Sequence, residues 1–193
     1  MWNMPDIPHW LSWLDIALSF IAFILGVLAM PTILESIFGQ PRVVMDFDKL
    51  DGDGGDIFRC CIHNARITNR LLRKLRVRRR LAEDVFAIFS VYESGTLRPV
   101  HINVVPLHIT PWGPATSAIQ LPGGSSTSLS IVEWEDQTRQ VTVSTQHGSG
   151  PVLPHGEYEV RVDARTSGGV QVARHKLVVG PTRPACYWQI LPN

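Results

Sequence analysis

E157-Y-E-V-R-V-D-A-R165 runs through T166-S-G-G169 into V170-Q-V-A-R-H-K-L-V-V179. In the first segment Tyr158, Val160, Val162 and Ala164 alternate with Glu159, Arg161, Asp163 and Arg165, which gives one apolar and one charged face at a period of two. Ser167, Gly168 and Gly169 supply a tight turn, so the whole stretch predicts an antiparallel hairpin with one face in a core and the other in water.

A second hairpin follows from Leu129 to Trp134 and Gln140 to Val143, joined across Glu135, Asp136 and Gln137. The same punctuation by Gly, Pro, Ser and Asn, in a sequence rich in Val, Ile and Thr, predicts strands near Arg42 to Asp48, Ile57 to His63, Asp84 to Tyr92, Pro99 to Val105, Ser117 to Leu121, Ser128 to Trp134, Gln140 to Ser144, Tyr158 to Arg165 and Val170 to Val179. Residues 41–193 are enough for one globular β domain with its own core.

L153-P-H-G-E-Y-E-V-R-V162 resembles the L-x-x-G-x-Y-x-V-x-V segment of immunoglobulin-like and prealbumin-like β-sandwiches, in which the Gly turns the chain and the Tyr closes a corner. The stretch from His63 to Tyr92, with Asn64 and A82-E-D-V85, is similar to bacterial immunoglobulin-like domains. The cysteine pair and buried Trp of antibody-type domains are not visible in the sequence. The resemblance implies a β-sandwich and assigns no residue a role.

Ahead of this domain, Ile16 to Leu34 is an uncharged apolar stretch of 19 residues, close to the about 20 that cross a bilayer. Trp10 and Trp13 stand at its start with Trp2 further out, as membrane-interface anchors, and Asp15 and Glu35 bracket it. Residues 1–9 read as a short tail and 10–37 as a transmembrane helix with interfacial ends, Pro31 lying near its close. A cleaved secretory signal fits less well, because no Lys or Arg precedes Arg42. The expected fold class is therefore mainly β, with one N-terminal transmembrane α-helix followed by an immunoglobulin-like β-sandwich.

Ser12, Asp15, Ser19, Ala22, Gly26 and Ala29 recur at alternating steps of three and four, which puts them on one helix face. Lipid tails are as apolar as Leu, so association in a bilayer depends on close backbone approach, and small residues permit it. The stripe reads as a docking face for another membrane helix. The Lys and Arg residues all follow the span, so the expected placement is the cell (inner) membrane, with the N-terminus outside and the β domain in the cytoplasm. Cys60 and Cys61 are adjacent and Cys186 is distant, which gives no even-numbered disulfide framework.

Between Arg59 and Arg80 there are nine Lys or Arg residues and no acid. The densest part contributes Arg70, Arg73, Lys74, Arg76, Arg78, Arg79 and Arg80, a basic surface suited to anionic lipid headgroups, with Leu71, Leu72 and Leu75 as a short apolar contact. Phosphorylated ligands are the sharper alternative, and a solvated loop paired with the aspartates at 46–56 the blander one. Nucleic acid is disfavoured, since the run lacks aromatics on which bases stack.

The run D46-F-D-K-L-D-G-D-G-G-D56 lacks the ligand spacing of a calcium loop, with Ile62 where a bidentate Glu belongs, and is expected to be a turn between the first two strands. In C60-C-I-H63 a strand would send Cys61 and His63 to one face, so at most two ligands converge. There is no G-x-S-x-G, G-x-x-x-x-G-K-[ST], H-E-x-x-H or C-x-x-C-H motif. No catalytic residue, metal or cofactor is expected. The expectation is an accessory or scaffolding subunit whose partners are other integral membrane proteins, supported by Trp112 in a Pro-Gly loop and an apolar C186-Y-W-Q-I-L191 tail. The alternative is a ligand-sensing effector whose helices self-associate into a homo-oligomer when the β domain binds a phosphorylated small molecule.

Overall fold

The structure, a computed structural model, describes residues 9–96, 99–104, 107–108, 115–116, 118–145 and 148–189. A helix α1 (His9–Phe38) precedes two strands, β1 (Val43–Gly52) and β2 (Gly55–Asn64), and a short helix α2 (Arg70–Lys74). Then come β3 (Ala82–Glu93), β4 (Pro99–Val104), β5 (Leu107–His108), β6 (Ala115–Thr116), β7 (Ile119–Leu121), β8 (Ser126–Glu135) and β9 (Gln140–Thr145). The chain ends with β10 (Gly148–Leu153), β11 (Gly156–Thr166), β12 (Gly169–Val179), a 3₁₀ turn at Arg183–Ala185 and β13 (Tyr187–Gln189).

Two compact units result: α1 gathered with the segment Ile67–Arg78, and the β domain formed by the remainder from Pro41 onward. Among the described residues the β domain is two antiparallel sheets. One runs β1-β2-β8, with the outer edge of β8 shared between β5-β6 and β9-β10; the other runs β13-β12-β11-β3-β4, with β7 also paired to β3. The core between them is apolar, led by Phe58, Phe89, Ile62, Leu129, Ile131 and Leu177.

Both predicted hairpins form, with Val160 opposite His175 in β11–β12 and Glu135, expected in the connection, paired with Gln140 at the end of β8–β9. Tyr158, Val160, Val162 and Ala164 are buried, as their alternation requires. On β8, Leu129, Ile131, Val132 and Trp134 all face the core, although strict alternation would send some of them outward. A bulge opposite Phe58 and Arg59 inserts one extra residue at Ile131 and resets the phase. Four further strands, β5, β6, β10 and β13, lie where no strand was predicted.

The aspartate run is corrected. Strand β1 continues to Gly52, so Asp46 and Asp48 lie on its exposed face, Asp51 is exposed near its end, and the turn is only Asp53 and Gly54. Asp is a poor strand former in general, yet here one face of β1 is solvated and Met45 and Phe47 on the other pack against the core. Gly55 follows with φ +152, a conformation that favours glycine, and a Cβ there would collide with the carbonyl of Trp134.

The C-terminal segment is also corrected. C186-Y-W-Q189 is taken up by the domain itself: β13 pairs with β12, and Trp188 donates its indole N–H to the Asp48 carbonyl on β1 at 3.0 Å. Trp188 meets Phe47 and Phe58 edge-on, with ring centroids 5.0 Å and 5.8 Å away, and Phe47 stacks on His175 at 4.3 Å. One short strand thereby ties the edges of both sheets together.

Candidate functional site

Helix α1 is apolar because its sequence offers no polar face beyond the small-residue stripe. From Trp13 to Phe38 it is long and apolar enough to cross a membrane, and none of it is buried. Trp13, Phe20, Phe23, Leu25 and Leu28 are all more than half exposed, a continuous apolar surface far beyond what a water-soluble face carries. At 1.5 Å per residue these 26 residues reach about 39 Å, more than the roughly 30 Å of hydrocarbon in a bilayer. Tilt or interfacial ends absorb such an excess.

Asp15, Ser19, Ala22, Gly26 and Ala29 are exposed along one side of α1. A straight helix drifts about 20° per heptad, so from residue 12 to 29 the stripe slants across a sector of about 100°. A partner helix meets such a stripe by crossing at a shallow left-handed angle. A Cβ added at Gly26 would touch nothing within 4 Å. Trp2 lies outside the described residues, as do Trp112 and the side chains of Trp10 and Ser12.

At the other end of α1, Gly39 is buried and donates its N–H to the Glu35 carbonyl at 2.9 Å. A Cβ at Gly39 would sit 2.8 Å from the Arg78 carbonyl oxygen and closer still to that of Glu35. The basic segment thus folds back onto the end of the helix, although 28 positions separate Gln40 from Thr68 in the chain. Arg70, Arg73, Lys74, Arg76, Arg78 and Arg80 are exposed. Arg79 is half-buried, donates its Nε to the Ala65 carbonyl at 3.2 Å, and is held below its usual pKa by burial and by Arg42. The seven predicted basic residues are therefore six exposed cations and one that braces the backbone.

Within the β domain, polar chemistry gathers at three places, two of which sequence reasoning did not assemble. Asp56 is wholly buried, with Arg183 Nε 2.7 Å from one carboxylate oxygen and Lys49 Nζ 2.6 Å from the other. Arg183 continues to Asp136 at 2.9 Å and to the Gly52 carbonyl at 3.0 Å, and Asp136 accepts the Trp134 indole N–H at 2.9 Å. Burial pushes the Asp56 carboxyl up, but the hydrogen bonds from Arg183 and Lys49 outweigh it and leave the group below the usual carboxylate range. Sequence could show these residues singly; nothing local marked them as partners.

Asn64, buried at the end of β2, is the second. Its Nδ2 donates to the carbonyls of Arg80 at 2.8 Å and Leu121 at 2.9 Å, and its Oδ1 accepts from the Arg42 N–H at 3.2 Å. The third is Tyr158, whose hydroxyl donates to the Pro154 carbonyl at 2.8 Å. This closes the corner that the L-x-x-G-x-Y resemblance implied. A Trp is buried after all, Trp134 on β8.

Two open clefts flank the Pro154–His155 turn, about 330 Å³ beside Trp134 and Arg139, and about 490 Å³ beside Glu93 and Glu157. The second is also lined by Ser94 and His155. The three cysteines are free; Cys60 and Cys186 are buried in the core and Cys61 is half-buried, and burial raises the pKa of each thiol. His63 pairs with Asp46 at 3.4 Å, and among the described residues no group of three His, Cys, Asp or Glu side chains could hold a metal ion. No family model matches this chain, and no curated protein matches it.

Proposed function

We propose that this protein is a single-pass accessory or scaffolding subunit of a membrane protein complex, docking through α1 and presenting the β-sandwich in the cytoplasm. The observation that carries this reading is α1 itself: an apolar surface 26 residues long, none of it buried, bearing one stripe smooth enough for another helix to approach. The placement of every Lys and Arg after the span supports a cytoplasmic β domain in the inner membrane. The β domain contributes a rigid platform, its ion pairs and hydrogen bonds spent on its own fold.

Ala22→Leu together with Gly26→Leu tests the reading. Both positions are exposed and a Cβ at Gly26 meets nothing within 4 Å, so the pair alters the docking face without touching the fold. Purification from native membranes is expected to recover membrane partners with the wild-type chain and to lose them with the double variant. Unchanged assembly overturns the docking role. Recovery of this chain alone as a homo-oligomer that leaks ions when ligand is added moves the function to the self-associating effector.

A further inference from the structure

The segment Ile67–Arg78 is built to hold cations at one place. Asn69 caps α2 by accepting the N–H groups of Leu71 at 2.9 Å and Leu72 at 3.3 Å. The helix closes with the paired bonds of a Schellman motif, Arg76 N–H to the Arg73 carbonyl and Val77 N–H to the Leu72 carbonyl, both 3.0 Å. The left-handed residue of that motif is normally Gly; here it is Arg76, at φ +58.

Arg70, Arg73, Lys74, Arg76 and Arg78 are exposed, the segment contains no acid, and Leu71 stands 64% exposed among them. Five like charges repel one another, and their natural complement is a dense plane of anions. The backbone contact between Arg78 and Gly39 sets this cluster at the end of the apolar helix, at the depth where a bilayer places its headgroups.

We propose that Ile67–Arg78 is a strap that binds anionic phospholipid headgroups on the leaflet where α1 ends, its five cations meeting the phosphates and Leu71 entering the interface. This rests on the reading that α1 spans the membrane. The strap then fixes the depth and rotation at which α1 presents its docking stripe.

The test uses the full chain in vesicles of phosphatidylcholine alone and of phosphatidylcholine with phosphatidylserine at about 7:3. Leu71→Cys, in a Cys61→Ser background that leaves only the buried Cys60 and Cys186, carries an environment-sensitive fluorophore. Quenching by a spin-labelled lipid at headgroup depth is expected to rise about threefold or more with phosphatidylserine, and to fall back in 1 M salt, where screening shortens to about 3 Å. Replacing the five cations by Gln is expected to abolish the rise. Arg76→Gly is expected to weaken strap engagement about fivefold while keeping or raising thermal stability, which separates the charge from the fold. Equal quenching in both lipids, in protein whose α1 resists alkaline extraction, overturns the strap and leaves the span standing. Release of the chain by alkaline extraction overturns the span, and the strap with it.

Discussion

Arg183, in the turn after β12, donates its Nε to Asp56 Oδ1 at 2.7 Å across 127 positions of chain. The carboxylate it meets is wholly buried, while the guanidinium keeps about a third of its own surface in water. The contact joins the beginning of β2 to the segment that feeds β13, and so anchors the C-terminal strand.

Removing the two members is expected to have unequal effects. Asp56→Ala forfeits charge-assisted hydrogen bonds worth about 2 kcal/mol. In a domain of this size that lowers the melting temperature by roughly 4–8 °C. Arg183→Ala instead leaves a buried carboxylate facing Lys49 alone and is expected to destabilise more than Asp56→Asn does. Thermal melts of the full chain in detergent, followed by tryptophan fluorescence, give the order; equal losses would show the carboxylate is reached by water.

Acid is expected to weaken the β domain through two carboxyls. The hydrogen bond from Arg59 holds Asp48 below its ordinary value, and Asp56 is also held low, as described above. A carboxyl whose folded pKa lies below the unfolded value of about 3.9 stabilises fully above that pH and loses its contribution as pH falls through the folded value. Melting temperature should therefore be level from neutral pH to about 5 and decline below about 4. The decline should be shallower in Asp56→Asn.

Asn64→Ala is expected to destabilise the β domain strongly. It strips partners from the Arg42 N–H and the Arg80 and Leu121 carbonyls at once. Losing three such bonds in a buried setting costs about 3 kcal/mol. Denaturant unfolding measures it, and a loss under about 1 kcal/mol would mean that water replaces the amide.

Tyr158→Phe removes only the hydroxyl that reaches Pro154. The ring stays buried, so a loss of about 1 kcal/mol is expected from denaturant midpoints, with the slope of the transition unchanged.

Gly39→Val is expected to free the basic strap without unfolding the sandwich. The added Cβ has no room against the Arg78 and Glu35 carbonyls. Hydrogen exchange should then accelerate at the α2 amides of 73–77 while the core strands β2, β8 and β11 keep their protection.

Much of the fold was legible because strands and helices announce themselves through near neighbours. Alternation at 158–164, the glycines after Ser167 and the uncharged run 16–34 each carry their signal within a few residues. The aspartates of β1 misled because Asp disfavours strands in general, and only the solvated face of an antiparallel sheet makes room for them. Strands β5, β6 and β13 were missed because strands of two or three residues have no period to read.

The sequence by itself determined that the chain has one helix long and apolar enough to cross a membrane, a β domain behind it, a corner closed by Tyr158 and a run of cations without acids. Only the tertiary structure decided that Asp56 is an interior anion, that Trp188 packs against the core, and that the basic segment returns to the end of α1 at Gly39. The physical reason is range. Periodicity and turn chemistry act between residues two to four apart, whereas an ion pair across 127 positions or a backbone contact between Gly39 and Arg78 exists only once the path of the whole chain is set.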